Sequence, residues 1–222
     1  MKTSRAKAAH NVPRKNDPQG LRARILDVAA ELFQLRGYCA TSMQDLMQAA
    51  EVSGGALHHH FASKKALGLA VILERVAPTV RETWIDPVRT SESLRTAVSR
   101  IFAGIAAGIE ARGRVAGCPL NNLALELALA DPEFREAVDS VFSEWRAALG
   151  DRIGGTPGGA RLDQTRRAAA AMFIISTYSG AMTQAKTSQN SAPLRSAADE
   201  LMRWIRERNF GAASRISRTP LL

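Results

Sequence analysis

Apolar residues recur at spacings of three and four along almost the whole chain, and this periodicity most limits what the chain can fold into. In the first such segment, Leu21, Ile25, Leu32 and Phe33 form one stripe that ends before Gly37. The period is that of an α-helix, whereas half-buried strands alternate apolar and polar residues. Because no convincing run of alternating β-branched residues is present, the sequence predicts an all-α fold.

Short polar residues that cap helices mark where the first four helices begin. In chain order the expected caps are Asp17, which precedes Pro18, then Ser42, Ser53 and Ser63. Asp45 stands three residues after Ser42, which is the spacing of a capping box. These caps predict a first helix that ends before Gly37, short helices from 42 to about 50 and from 53 to about 61, and a fourth that begins after Ser63.

The rest of the chain is predicted to form a larger helical domain. Its segments lie near residues 92–112, 119–129, 132–149, 162–188 and 194–208, separated by glycine and proline. The glycine-rich loop at 154–159 is interpreted as an interhelical linker, because no Gly-Lys-Ser/Thr follows it and no strand precedes it. We therefore expect a basic arm at 1–17, a small three-helix domain at 18–67, a larger domain at 68–210 and a tail at 211–222.

Positive charge is concentrated at the amino terminus. Residues 1–24 hold seven lysines or arginines against one acid, which supplies +6 of the formal net charge of +9. Such an arm is typical of a polyanion contact, and it is also compatible with a solvated tail. It lacks the apolar segment of a secretory signal, and the two cysteines do not form a Cys-x-x-Cys pair, so we expect a reducing, cytoplasmic location. The uncharged stretch 168–185 contains several polar residues and is interpreted as a buried helix, not a membrane span.

Two short helices joined by a tight turn, the second capped by serine and rich in small residues, form a helix-turn-helix pattern. The segment around residues 20–67 resembles the DNA-binding domain of the TetR family of transcriptional regulators. The residues that carry the resemblance are Thr41-Ser42, Ala49-Ala50, Val52-Ser53, Gly55, Leu57, His59, Phe61 and Ser63-Lys64. The resemblance implies a repressor that binds double-stranded operator DNA as a homodimer, with a carboxy-terminal domain that binds a small effector.

The predicted recognition helix begins with residues that have little bulk. Ser53, Gly54, Gly55 and Ala56 would let its start approach base edges in the major groove. The other expected DNA contacts are His58 and His59 with bases or phosphates, and Thr41, Ser42 and Lys64 with phosphates. Three residues depart from the family pattern: Glu51 replaces a turn glycine, Gly54 a frequent basic residue and His58 a tyrosine. The arm is therefore expected to supply affinity, and removal of residues 1–15 should flatten the salt dependence of binding.

The resemblance also assigns roles in the larger domain. It implies dimerisation through the last two long helices, where the candidate interface residues are Ala171, Ile175, Ser179, Met182, Leu201, Trp204 and Ile205. An effector cavity is expected among the middle helices, with Trp84, Phe102, Leu123, Trp145 and Phe173 as candidate lining residues. Ordinary core packing is the alternative interpretation for each of these residues.

Cys118 is a candidate sensor. The stretch from Gly117-Cys118 to Glu126 is similar to one found in a TetR subset that includes electrophile-responsive and redox-responsive repressors. Cys118 precedes Pro119 and is expected to cap a helix, whose amino terminus would lower the pKa of the thiol. The alternative is a buried and inert cysteine.

Other classes of function are not supported by the residues. The consecutive His58, His59 and His60 point about 100° apart on a helix and cannot converge on one ion, so no metal site is expected. No nucleophile, acid and base set is recognisable, so neither an enzyme nor a cofactor is predicted. A sequence-independent architectural DNA-binding protein is the alternative function, and it would bind operator and random duplex with similar affinity.

Overall fold

The computed structural model describes residues 18–211, and these residues form a bundle of α-helices. The three helices of the amino-terminal domain are α1 (Pro18–Arg36), α2 (Met43–Ala49) and α3 (Gly54–His60). The remaining long helices are α5 (Leu94–Arg112), α6 (Pro119–Leu127), α7 (Pro132–Gly154), α8 (Gln164–Ser188) and α9 (Ala192–Glu207). The all-α prediction is confirmed. The basic arm at 1–17, with the Asp17 cap, and residues 212–222 lie outside the described residues.

Between α3 and α5 runs one continuous helical rod over residues 64–90, here called α4. It consists of α-helical segments Lys64–Val71, Ala77–Val80 and Asp86–Thr90 separated by π-helical segments Ile72–Val76 and Arg81–Ile85. Each π-helical segment ends two residues before a proline, Pro78 or Pro87. Proline lacks an N–H and crowds the carbonyl four residues earlier, and a π-turn relieves both problems by widening the helix. The rod therefore joins the two domains without a break.

The helices of the larger domain pack around a cluster of aromatic side chains. The ring centroids of Trp84 and Trp145 are 4.9 Å apart, and those of Trp84 and Tyr178 are also 4.9 Å apart. Phe102 completes the cluster, 5.8 Å from Trp84. These rings come from α4, α5, α7 and α8 and are almost fully buried. They hold the four helices together.

Most predicted helix limits agree with the structure to within a few residues. The exception is the segment predicted to end at residue 149, because α7 continues to Gly154. The 154–159 loop that follows forms a compact turn in which the Thr156 hydroxyl donates to the Ile153 carbonyl. None of the helices within residues 18–211, including α8 with its uncharged stretch, is long and apolar enough to cross a membrane.

Candidate DNA-binding interface

The helix α3 is held at its start by Ser53 and against the domain core by Leu57. The Ser53 hydroxyl accepts a hydrogen bond from the Ala56 N–H at 3.2 Å. Leu57 is fully buried, and Phe61, which follows the helix, is 4% exposed. Gly55, His58 and His59 consequently face outward. A side chain attached at Gly55 would meet no protein atom within 4 Å, so this part of α3 is open to an approaching ligand.

The helix α2 and the turn that follows it set the angle of α3. Ser42 and Asp45 form the predicted capping box, in which the Asp45 carboxylate accepts from the Ser42 N–H at 2.7 Å. These hydrogen bonds lower the pKa of Asp45. Glu51 adopts a left-handed φ of 52°, as expected from its position in place of a turn glycine. This conformation turns the chain sharply between the two helices.

Thr41 is positioned differently from the prediction, and Lys64 already has neighbours within the protein. Thr41 is fully buried and its hydroxyl donates to the Gly37 carbonyl at 2.7 Å, so its role is to hold the turn before α2 and not to contact a phosphate. The Lys64 ammonium lies 4.3 Å from the centre of the Tyr38 ring and 3.4 Å from the Cys39 carbonyl. The Lys64 side chain is half-buried, and its contact with a phosphate stays a prediction. Ser42 remains exposed beside the start of α2.

Arg22, one of the seven basic residues among residues 1–24, lies in α1 and belongs to the folded domain. Its guanidinium makes two hydrogen bonds of 2.6 Å to the Glu74 carboxylate and lies 5.0 Å from the centre of the Phe61 ring. Glu74 holds the pKa of Arg22 above its ordinary value. Since α3 itself contains neither lysine nor arginine, electrostatic affinity for DNA still has to come mainly from elsewhere.

Glu126 joins the larger domain to the DNA-reading domain, and sequence reasoning missed it. Its carboxylate accepts hydrogen bonds from the Tyr38 N–H at 2.8 Å and from the Cys39 N–H at 2.5 Å, in the turn between α1 and α2. Burial raises the pKa of Glu126, but these two N–H groups, the Cys39 thiol and Lys64 together bring it below the ordinary value. The available signal was the glutamate that ends the Gly-Cys stretch. We call this contact of Glu126 with the 38–39 turn the α6 clamp.

The candidate effector residues do not converge on one cavity. Trp84, Phe102 and Trp145 belong to the buried aromatic cluster described above. Leu123 lines a cavity of about 470 Å³ between α1 and the larger domain. Phe173 lies on another surface, with its ring centroid 4.7 Å from that of Trp204. Of these five candidate effector residues, only Leu123 lines this cavity.

Cys118 stands at the N-cap position of α6, as predicted, but the predicted effect on its pKa is wrong. The residue is 5% exposed, and burial raises the pKa of its thiol. The backbone N–H groups of Asn121 and Leu120 and the Tyr178 side chain lower the pKa by a smaller amount. Desolvation therefore outweighs the helix amino terminus. The other cysteine, Cys39, is exposed, and its hydrogen bond to Glu126 raises the pKa of its thiol.

Most of the candidate dimer residues face the interior of their own subunit. Buried side chains in α8 and α9 are those of Ala171, Ile175, Met182, Leu201 and Ile205. They complete the core of a single chain and cannot also cover a partner, which corrects the prediction for these five. Ser179 and Trp204 are half-buried. The outward side of α8 instead carries Met172 and Phe173, which are 53% and 46% exposed.

A capped recognition helix presented on a short helix-turn-helix, followed by a helical domain, defines a DNA-binding transcriptional regulator. Two family models match the chain: bacterial regulatory proteins of the tetR family over residues 25–71, and the C-terminal domain of LmrA/YxaF-like transcriptional regulators over residues 90–200. The chain belongs to the TetR family. Members of this family are transcriptional regulators and not enzymes.

Curated relatives and solved structures agree with this assignment. The chain is 27% identical over 183 residues to the HTH-type transcriptional repressor DhaR of Mycobacterium sp. (strain GP1), which covers 78% of this chain and 86% of that protein. It is 28% identical to the transcriptional regulator AcuR of Cereibacter sphaeroides, covering 83% and 87%. A TetR transcriptional regulator from Chloroflexus aurantiacus J-10-FL has a TM-score of 0.73 at 29% identity, covering 88% and 98%. Reduced NemR of E. coli, at 21% identity and TM-score 0.73 with 89% and 100% coverage, shares the fold.

Proposed function

We propose that the protein is a cytoplasmic, homodimeric repressor that binds a palindromic operator and is released from it by a small-molecule effector. The observation that carries the proposal is the open side of α3 at Gly55, with His58 and His59 exposed on the same helix. A helix with this profile can enter the major groove closely enough for side chains to reach base edges. In a two-fold dimer the two copies of α3 would occupy successive grooves about 34–36 Å apart.

The outward side of α8 and α9 supports the homodimer. Met172 and Phe173 of α8 expose large apolar surfaces, and Trp204 of α9 packs beside Phe173. Ser176 and Gly180 follow on the same side of α8, where their small size would let a second helix approach closely. A two-fold axis would bring this face against its own copy and bury it in both subunits.

The signal that releases DNA is proposed to be a ligand held without a covalent bond. Burial and a raised pKa leave the Cys118 thiol poorly suited to react with an electrophile. The helix α6 offers a route for a bound ligand instead, because Pro119 and Leu123 line the 470 Å³ cavity and Glu126 of the same helix clamps the turn before α2. A ligand that prefers one position of α6 would shift the orientation of α3.

A steric variant of Gly55 tests the role of α3. Gly55→Leu places a side chain where no protein atom lies within 4 Å, so the domain should fold normally while the approach to DNA is blocked. We expect operator affinity to fall by more than about tenfold, since loss of even about 1.4 kcal/mol of contacts has this effect. The operator would be selected from random duplexes and binding followed by fluorescence anisotropy.

Gly104→Leu is the matched control. Gly104 lies in α5, far from α3 in the sequence, and it also has no protein atom within 4 Å of an added side chain. Its operator affinity should equal that of the wild type. If Gly55→Leu binds DNA as tightly as Gly104→Leu, α3 does not enter the groove and the proposal is wrong. Equal binding of operator and random duplex by the wild type would favour the architectural alternative.

A further inference from the structure

The cavity of about 470 Å³ has one wall from the DNA-reading domain and the others from the larger domain. The α1 wall includes Phe33 and Gln34, and the opposite walls come from α4, α5, α6 and α8. Its volume lies within the range of about 300–1,000 Å³ that is usual for small-molecule sites. At its edge Gln34 donates to the Gly117 carbonyl at 3.1 Å, which ties α1 to the residue before the Cys118 cap. The cavity thus lies where the two domains meet.

Part of the wall of this cavity is a continuous apolar surface. Val76, Ile109 and Leu123 are buried side chains that line it, and Ile105 and Met182 extend the same surface. Such a lining favours a hydrocarbon or ring system, because burial of apolar surface contributes roughly 25 cal/mol per Å². The polar groups of a ligand would have to lie toward the opening.

Arginines dominate the charged side chains of the cavity. Three arginines and one glutamate, Glu31, line it. Arg75 is already paired with Asp27 at 2.6 Å. Arg112 and Arg114 make no ion pair or side-chain hydrogen bond with any residue between 18 and 211. Arg112 is the last residue of α5 and its guanidinium folds back beside Gly108, and Arg114 lies just beyond the helix in the next turn. Two unpaired guanidinium groups therefore line the same cavity as the apolar surface.

We propose that this cavity binds an amphipathic organic anion, with its carboxylate at Arg112 and Arg114 and its apolar body against Ile105, Ile109 and Leu123. Guanidinium groups bind carboxylates through paired hydrogen bonds, which gives orientation as well as affinity. This inference rests on the proposed function, because it names the chemical class of the effector. A ligand in this position would touch α1 and α6 together and so act on both sides of the α6 clamp.

Direct binding to the full-length protein in the absence of DNA tests the proposal. The probes are hexanoate, octanoate and decanoate, each compared with its neutral amide by isothermal titration calorimetry. We expect at least one carboxylate to bind more than tenfold tighter than its amide. Arg112→Gln with Arg114→Gln should remove that preference, and both side chains are exposed, so the variant should fold.

Arg135→Gln is the matched control, because Arg135 is an exposed arginine of α7 that does not line this cavity. It should bind the carboxylates as the wild type does. Equal affinity for acid and amide, an unchanged preference in the double variant, or no binding of any of the three acids would overturn the inference. Operator binding is measured separately, so a protein that binds its operator but none of these acids refutes the inference alone. A protein that binds no operator refutes the proposed function.

Discussion

At the scale of single residues, Glu51 occupies a backbone conformation that most side chains avoid. Its φ of 52° puts it in the left-handed region, where a residue with a Cβ is disfavoured by roughly 1–2 kcal/mol. This left-handed conformation allows the tight turn between α2 and α3, which sets the orientation of α3. It was predictable, since a non-glycine residue at a turn that usually has glycine must adopt the same conformation.

We predict that Glu51→Gly stabilises the protein by up to about 1 kcal/mol. The relief of backbone strain in the folded state should exceed the free-energy cost of the greater conformational entropy that glycine gives the unfolded chain. The exposed Gln48, in the last turn of α2, provides the control, and Gln48→Gly should lower the stability by about 0.5–1 kcal/mol. Urea unfolding of both variants is the measurement. If Glu51→Gly destabilises as much as Gln48→Gly, the turn is not strained.

Long-range contacts explain which residue roles could not be predicted. The capping box of Ser42 and the serine caps at Ser53 and Ser63 depend on neighbours three residues away, and these predictions are confirmed. Lys64 is engaged by Tyr38 and Cys39, and Glu126 reaches the 38–39 turn across more than 80 residues. No pattern in the neighbouring sequence indicates a partner so far away in the chain. The partners of Lys64 and Glu126 are therefore known only from the tertiary structure.

At the scale of helices, α6 connects three features of the molecule. It begins at buried Cys118, lines the cavity with Leu123 and reaches the 38–39 turn with Glu126. The sequence stretch was noticed for its cysteine, and its glutamate makes the contact between domains. The continuity of α4 was equally hidden, because Pro78 and Pro87 normally interrupt a helix and here follow π-turns.

We predict that Glu126→Ala lowers the free energy of unfolding by about 1–3 kcal/mol, because the Tyr38 and Cys39 N–H groups lose their acceptor in a partly buried turn. Glu133→Ala is the control, since Glu133 only pairs with exposed Lys65, and its loss should be smaller. Denaturant unfolding measures both. A Glu126→Ala protein no less stable than Glu133→Ala would contradict the α6 clamp.

The same contact predicts a pH dependence. The folded-state pKa of Glu126 is below the ordinary value, so its carboxylate stabilises the protein above about pH 4.3, the usual unfolded value. This contribution is lost as the pH falls through the lower folded-state pKa. The stability difference between wild type and Glu126→Gln should thus be largest near neutral pH and narrow in acid. A stability difference between wild type and Glu126→Gln that grows as the pH falls would contradict this prediction.

At the scale of the whole molecule, α8 has two apolar sides, one packed into its own subunit and one exposed. Its periodicity predicted the helix. Ala171, Ile175 and Met182 recur on one side, as predicted, but that side packs into its own subunit. A helix that packs against the core of its own subunit on one side and against a partner subunit on the other carries apolar or small residues on both faces. Sequence spacing identifies such a helix but does not tell the two faces apart.

We predict that Phe173→Asp weakens self-association, because it places a charge on the exposed apolar face of α8. Sedimentation velocity should show monomer at concentrations where the wild type is a dimer, with operator affinity reduced in parallel. Leu73→Asp is the control, since Leu73 of α4 is 51% exposed and lies outside the proposed interface. A Phe173→Asp protein that remains dimeric would place the interface elsewhere.

The most direct measurement is the ratio of dissociation constants for the selected operator and for a random duplex of equal length at the same salt concentration. A dimeric regulator that reads bases through α3 should prefer its operator by about a thousandfold or more. Gly55→Leu should reduce that ratio strongly, whereas Gly104→Leu should preserve it. A wild-type ratio near one would contradict the account, because it would mean that the protein binds the phosphate backbone without discriminating between base sequences.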